Sequence, residues 1–116
     1  RKGTFERTGM NYQEAIEKLK NSQLSPGDLS EIRMTLSAEY ATRSEDLAQI
    51  LVQKAQEWLV EREKRKSDKS TDQWWNASPG GKQEVLLRFR LKGLEKVISA
   101  IKTRLEVMMG ESRSSY

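Results

Sequence analysis

Basic residues in the C-terminal half of the chain are the feature with the clearest chemical use. Arg88, Lys92 and Lys96 recur every fourth residue, with Arg90 nearby, and residues four apart share one face of a helix. Such a ladder can follow a phosphate backbone without reading its sequence. The alternative is an ordinary solvated flank of a coiled coil. Further candidate phosphate contacts are Lys102, Arg104, Arg65, Lys66 and Lys69.

The positive charge is concentrated in this part of the chain. Residues 1–59 contain 8 Lys/Arg against 9 Asp/Glu, a net of −1, whereas residues 60–104 contain 12 against 6, a net of +6. A clustered positive field favours a nucleic acid or an acidic partner. The sequence has no Cys and no His, which excludes disulfides, Cys/His zinc sites and the commonest general base. We therefore expect a protein that is not an enzyme and needs no cofactor or metal.

Two adjacent tryptophans, Trp74 and Trp75, precede a double glycine in DQWWNASPGGK. Adjacent helical side chains point about 100° apart, so the two rings cannot face one core. We expect one to be buried in a corner of the fold, against Val85 or Leu59. The other would be exposed in the basic surface, where stacking on a nucleobase contributes about 1–3 kcal/mol whatever the base. Trp75 is the slightly favoured stacking residue, and a contact within an oligomer is the alternative.

Helices must position these groups, and the spacing predicts an all-α fold. A short helix starts at Tyr12 and ends near Asn21, and Ser25 and Pro26 start a long helix that runs to about Arg65. Steps of three and four residues along the long helix form one seam: Leu29, Ile32, Leu36, Tyr40, Arg43, Leu47, Ile50, Lys54 and Trp58.

A corner of about a dozen residues follows the long helix. Ser70 and Gln73 form a weak capping box for a short helix over 71–77. Ser78 and Pro79 then start the last helix, which should end at Gly110. Its apolar residues alternate steps of four and three, which predicts a coiled-coil seam: Leu87, Leu91, Leu94, Ile98, Ile101, Leu105 and Met108.

Two long helices with one seam each favour a long antiparallel helical hairpin. Apolar residues outside the seams favour a homo-oligomer that completes the core between subunits: Val52, Leu59, Val60, Val85, Phe89 and Val97. We expect residues 1–9 to be a tag or disordered arm, 10–110 to be one helical domain and 111–116 to be a polar tail. No apolar run approaches the roughly 20 residues that span a bilayer, so a cytoplasmic protein without membrane contact is expected.

The strings KSD at residues 66–68 and SAIKTR at residues 99–104 carry a resemblance to the phage recombination mediators of the UvsY type. The similarity covers about residues 40–109, and the tryptophan pair, the double glycine and the RFRLK string are not part of it. It implies an oligomeric helical protein that binds single-stranded DNA and helps a RecA-type recombinase replace single-strand-binding protein. RNA in place of DNA stays open. A coiled-coil protein-interaction module, or a small helical subunit of a nucleoprotein complex, is the alternative.

Overall fold

The structure, a computed structural model, describes residues 10–21 and 23–114. Four helices cover most of this range: α1 (Tyr12–Lys18), α2 (Pro26–Lys64), α3 (Asp68–Ala77) and α4 (Pro79–Ser114). The all-α prediction is therefore confirmed, with no strand among the described residues. The predicted arm at residues 1–9 lies outside the described residues, as do residues 115 and 116.

The chain divides into two compact units. We call the unit that combines residues up to Ala41 with residues from Gly93 onward the terminal unit, and the unit over Thr42–Lys92 the corner unit. Helices α2 and α4 each contribute a segment to both units. Within each unit the two segments pack against each other, as the predicted hairpin requires.

A small apolar core holds the terminal unit together. Ala15 from α1 packs with one face of α2 and with Leu94 and Ile101 of α4, and these core residues are at most 3% exposed. Tyr40, Ile98, Leu105 and Met108 pack around this core, so the predicted seams are confirmed here. Val97 was expected to lie off the seam but also packs against the core. The buried residues of α2 are Leu29, Ile32 and Leu36.

A capping side chain fixes where the long helix α2 begins. The amide N–H of Asp28 donates to Ser25 Oγ, and the Ser25 N–H donates to Asp28 Oδ2, both at 3.1 Å, which confirms Ser25 as the cap of α2. The backbone hydrogen bond from Ser25, followed by its side-chain hydrogen bond, lowers the pKa of the Asp28 carboxyl. Helix α1 ends at Lys18. Backbone hydrogen bonds from Lys20 N–H to the Glu17 carbonyl and from Asn21 N–H to the Lys18 carbonyl form a turn that extends to Asn21.

Two predicted helix ends are wrong for identifiable reasons. The N-cap of α3 is Ser67, whose Oγ accepts from the Ser70 N–H at 3.1 Å, so α3 begins at Asp68 rather than after Ser70. At the other end, α4 continues past Gly110 to Ser114. A glycine ends a helix when it adopts a positive φ, and no residue in the described part of the chain does so.

Candidate nucleic-acid interface

Trp75 is the buried member of the tryptophan pair, with 1% of its surface exposed. The first turn of α4 lies directly on its ring: a Cβ added at Gly80 would come within 2.6 Å of Trp75 Cη2. A Cβ at Gly81 would overlap the Trp75 carbonyl oxygen. The two glycines are therefore needed for the close approach of α4 to α3.

This burial overturns one site prediction and refines another. Trp75 cannot stack on a nucleobase, because its ring is enclosed by the protein. The expectation that one tryptophan is buried in the corner is confirmed. The neighbour that the structure places on its ring is Gly80, and the two expected neighbours, Val85 and Leu59, are 47% and 65% exposed. The helical position of Trp75 alone could not predict its burial, because the contact between α4 and the Trp75 ring depends on the absence of a side chain at Gly80.

A buried carboxylate, Glu84, joins the corner unit's helices. It accepts hydrogen bonds from Trp75 Nε1 at 2.8 Å and from Arg88 Nε at 2.9 Å, and Lys54 Nζ lies 3.3 Å away. Burial alone would raise the pKa of Glu84, but the hydrogen bonds from Trp75 and Arg88 and the charge of Lys54 outweigh burial and lower it. The interruption of the α2 seam at Lys54 is thereby explained. A sequence signal existed, because Glu84 lies three residues before Leu87 and so continues the α4 seam.

The basic residues of the corner differ in how accessible their charges are. Arg65 Nε donates to Glu61 Oε2 at 3.0 Å, and its guanidinium lies 5.9 Å from the centre of the half-buried Trp74 ring. Lys66 and Lys69 are exposed and form no ion pair with any described residue. Of these three predicted phosphate contacts, the two lysines are the accessible ones.

Two carboxylates, those of Asp68 and Asp72, join helices in the corner unit. Asp68 Oδ1 accepts from Arg62 Nε at 2.6 Å, which joins the start of α3 to the end of α2. Asp72 Oδ1 accepts from the indole N–H of Trp58 at 2.8 Å. Both contacts connect α3 to α2, so these acidic residues position the corner instead of only solvating it.

One side of α4 in the corner unit is both apolar and basic. Phe89 is 72% exposed and Leu86 is 69% exposed, and both are turned away from the half-buried seam residues Leu87 and Leu91. Helical spacing places two exposed lysines on the same side. We call this surface the outer face of α4, defined as Lys82, Val85, Leu86, Phe89 and Lys92.

The predicted basic ladder does not form one continuous set of accessible charges. Arg88 and Lys92 lie one turn apart, but the Arg88 guanidinium is bound to Glu84. Arg90 follows Arg88 by two residues, so it lies on the opposite flank of α4 and lines a groove there. The remaining three predicted contacts belong to the terminal unit, where Lys96 and Lys102 are exposed and Arg104 is half-buried.

The chain was compared with protein-family models, with curated proteins and with solved structures. It matches none of them. The resemblance to the UvsY type therefore depends on the strings KSD and SAIKTR and stays a prediction. Along the described residues, no helix has the length and apolar character that crossing a membrane requires.

Proposed function

We propose that this protein binds single-stranded DNA without a strict sequence requirement, through the outer face of α4, and carries out no catalysis. The observation that carries this proposal is Phe89, an aromatic ring 72% exposed on a helix face that also presents Lys82 and Lys92. Proteins that bind single strands combine cationic groups, which follow the phosphates, with aromatic rings on which bases stack.

The charge balance along this segment supports an anionic ligand. Residues 82–92 contain Lys82, Arg88, Arg90 and Lys92 against the single acidic residue Glu84, and Glu84 is buried with Arg88 and Lys54 as partners. The phosphates of a bound DNA strand would therefore meet no exposed carboxylate within this segment. A single strand fits better than a duplex, because only unpaired bases can stack on a side-chain ring.

The biological role follows from the resemblance. We propose a phage recombination mediator that acts in the host cytoplasm and helps a RecA-type recombinase replace single-strand-binding protein on DNA. Such a role requires no site for nucleotide hydrolysis. It also uses several subunits, and the exposed Val52, Leu59 and Val60 of α2 supply apolar surface for a homo-oligomer. Sedimentation velocity would contradict this part if it showed only single chains.

A protein-interaction module is the second candidate. It is favoured by the apolar part of the corner unit's surface, where Val85, Leu86 and Phe89 are 47%, 69% and 72% exposed. Exposed apolar patches commonly mark contacts with another protein, and a helix face of this kind can pack in a partner's groove. Such a module would bind DNA only weakly and would lose that binding near 150 mM salt.

Fluorescence anisotropy distinguishes the two candidates. A labelled single-stranded oligonucleotide and its duplex are titrated with the protein at low and moderate salt. We expect tighter binding to the single strand, with log affinity falling against log salt by about 0.7 for each phosphate contacted. Equal affinity for the duplex, or no binding at low salt, would contradict the proposed function.

Charge reversal on the outer face of α4 should weaken binding selectively. We expect Lys82→Glu with Lys92→Glu to lower affinity for the single strand about tenfold or more at low salt, because two phosphate contacts become repulsive. The matched control is Lys18→Glu with Lys20→Glu, which changes the net charge equally at exposed positions of the terminal unit. If the two double variants lose the same affinity, the effect is one of net charge and the interface is placed wrongly.

A further inference from the structure

The corner unit also contains a groove between α2 and α4, which adjoins the outer face of α4 at Leu86. It encloses about 600 Å³, within the range of small-ligand sites. We call it the polar groove and define it by the lining residues used below: Arg43, Gln49, Ile50, Gln83, Leu87 and Arg90.

The contact between Lys54 and Glu84 fixes how the two helices are aligned along the groove. Because the segments run in opposite directions, low residue numbers on α2 lie opposite high numbers on α4. Arg43 and Arg90 therefore share one end of the groove, and Gln83 lies toward the other end. The seven residue steps from Gln83 to Arg90 span about 10 Å of helix, which is comparable with the reach of a nucleotide from its phosphate to the far edge of its base.

The side chains of the groove differ in what they can still bind. Gln49 and Gln83 make no side-chain hydrogen bond with any described residue, and each carboxamide can both donate and accept. A further lining residue, Gln53, donates from Nε2 to Glu57 Oε2 at 2.7 Å. The groove also contains the ion pair between Arg43 and Asp46, with 3.1 Å between Nη1 and Oδ2. The charged residues that line the groove are two arginines and one aspartate.

We propose that the polar groove binds one nucleotide of the single strand and that it favours adenine. Its phosphate lies at the end with Arg43 and Arg90, and its base lies on the aliphatic side chains of Ile50 and Leu87. A carboxamide matches the adjacent donor and acceptor of adenine, N6 and N7, whereas guanine presents two acceptors there and suits arginine better. This inference rests on the proposed function and adds a base preference to otherwise sequence-tolerant binding.

Anisotropy titration with two single strands of equal length tests the inference. One strand contains only thymine, and in the other an isolated adenine replaces every fourth thymine, which avoids stacked runs of adenine. We expect the wild-type chain to bind the adenine-containing strand about tenfold more tightly. Gln49→Ala with Gln83→Ala should reduce that ratio below about twofold, through a loss of affinity for the adenine-containing strand.

The control pair is Gln13→Ala with Gln56→Ala, which removes two exposed carboxamides outside the groove and should keep the wild-type ratio. Thermal unfolding followed by circular dichroism checks that all variants fold. If the wild type binds both strands equally, or if the groove variant keeps the adenine preference, the groove proposal is overturned and single-strand binding stands. If the wild type binds neither strand, the proposed function fails and the groove proposal fails with it.

Discussion

Gly81→Ala is expected to lower the free energy of unfolding by about 3 kcal/mol or more, in the upper range of overpacking effects. The added methyl group would overlap the Trp75 carbonyl oxygen and come within 2.8 Å of Asn76 Cα. Both are backbone atoms, which cannot rotate away as a flexible side chain would. Relief therefore requires the first turn of α4 to separate from α3, and that separation exposes Trp75.

A second glycine on the same helix supplies the control. A Cβ at Gly93 would meet nothing within 4 Å, and Gly93 lies inside α4. Gly93→Ala should raise the free energy of unfolding by about 0.5–1 kcal/mol, because alanine loses less backbone entropy in a helix. Urea unfolding followed by circular dichroism and tryptophan emission measures both variants. Equal stability of the two variants would contradict the close approach of α4 to Trp75.

Glu84→Ala should be the other strongly destabilising substitution. It leaves the Trp75 N–H buried without its acceptor, which costs about 1–3 kcal/mol. Lys54 and Arg88 would also lose their partner, but their side chains are 34% and 54% exposed, so solvent replaces much of that interaction. Glu84→Gln keeps an acceptor for Trp75 and should cost less. If both variants are equally stable in thermal unfolding, the hydrogen bond to Trp75 does not stabilise the corner.

Acid should remove part of the same stabilisation. The pKa of Glu84 is lower in the folded chain than its ordinary value of 4.5, so the ionised carboxylate stabilises the fold above about that pH. This contribution is lost as pH falls through the lower, folded-state pKa. We expect the stability difference between wild type and Glu84→Gln to shrink below pH 4.5 and to be constant near neutrality. A difference that grows on acidification would contradict the assigned direction.

Periodicity predicts the parts of this fold that depend on one helix at a time. The predicted α2 seam is buried or half-buried along its whole length, even at Arg43 and Lys54, because a residue's face follows from helical spacing alone. The start of α2 at Ser25 was also predictable, since the cap is local. The end of α4 was not, because a glycine's effect depends on its φ.

Contacts between helices set the features that sequence reasoning missed. Whether Trp74 or Trp75 is buried depends on Gly80, which lies on a different helix. The positions of Arg88 and Arg90 on opposite flanks of α4 follow from helical spacing. That the Arg88 guanidinium forms an ion pair with Glu84 is seen only in the structure. Gln49 and Gln83 are far apart in the chain, and no periodic pattern of polar residues indicates that they line one groove.

The most direct test of the interface on α4 is the affinity of Phe89→Ala for a labelled single-stranded oligonucleotide, measured by anisotropy at moderate salt. The ring is largely exposed, so its removal should leave thermal stability unchanged. We expect affinity to fall about 5- to 150-fold, which corresponds to the roughly 1–3 kcal/mol of one base stacked on an aromatic ring. Met34→Ala, at a residue 73% exposed in the terminal unit, should bind as the wild type does. Wild-type affinity in Phe89→Ala would contradict the proposed interface.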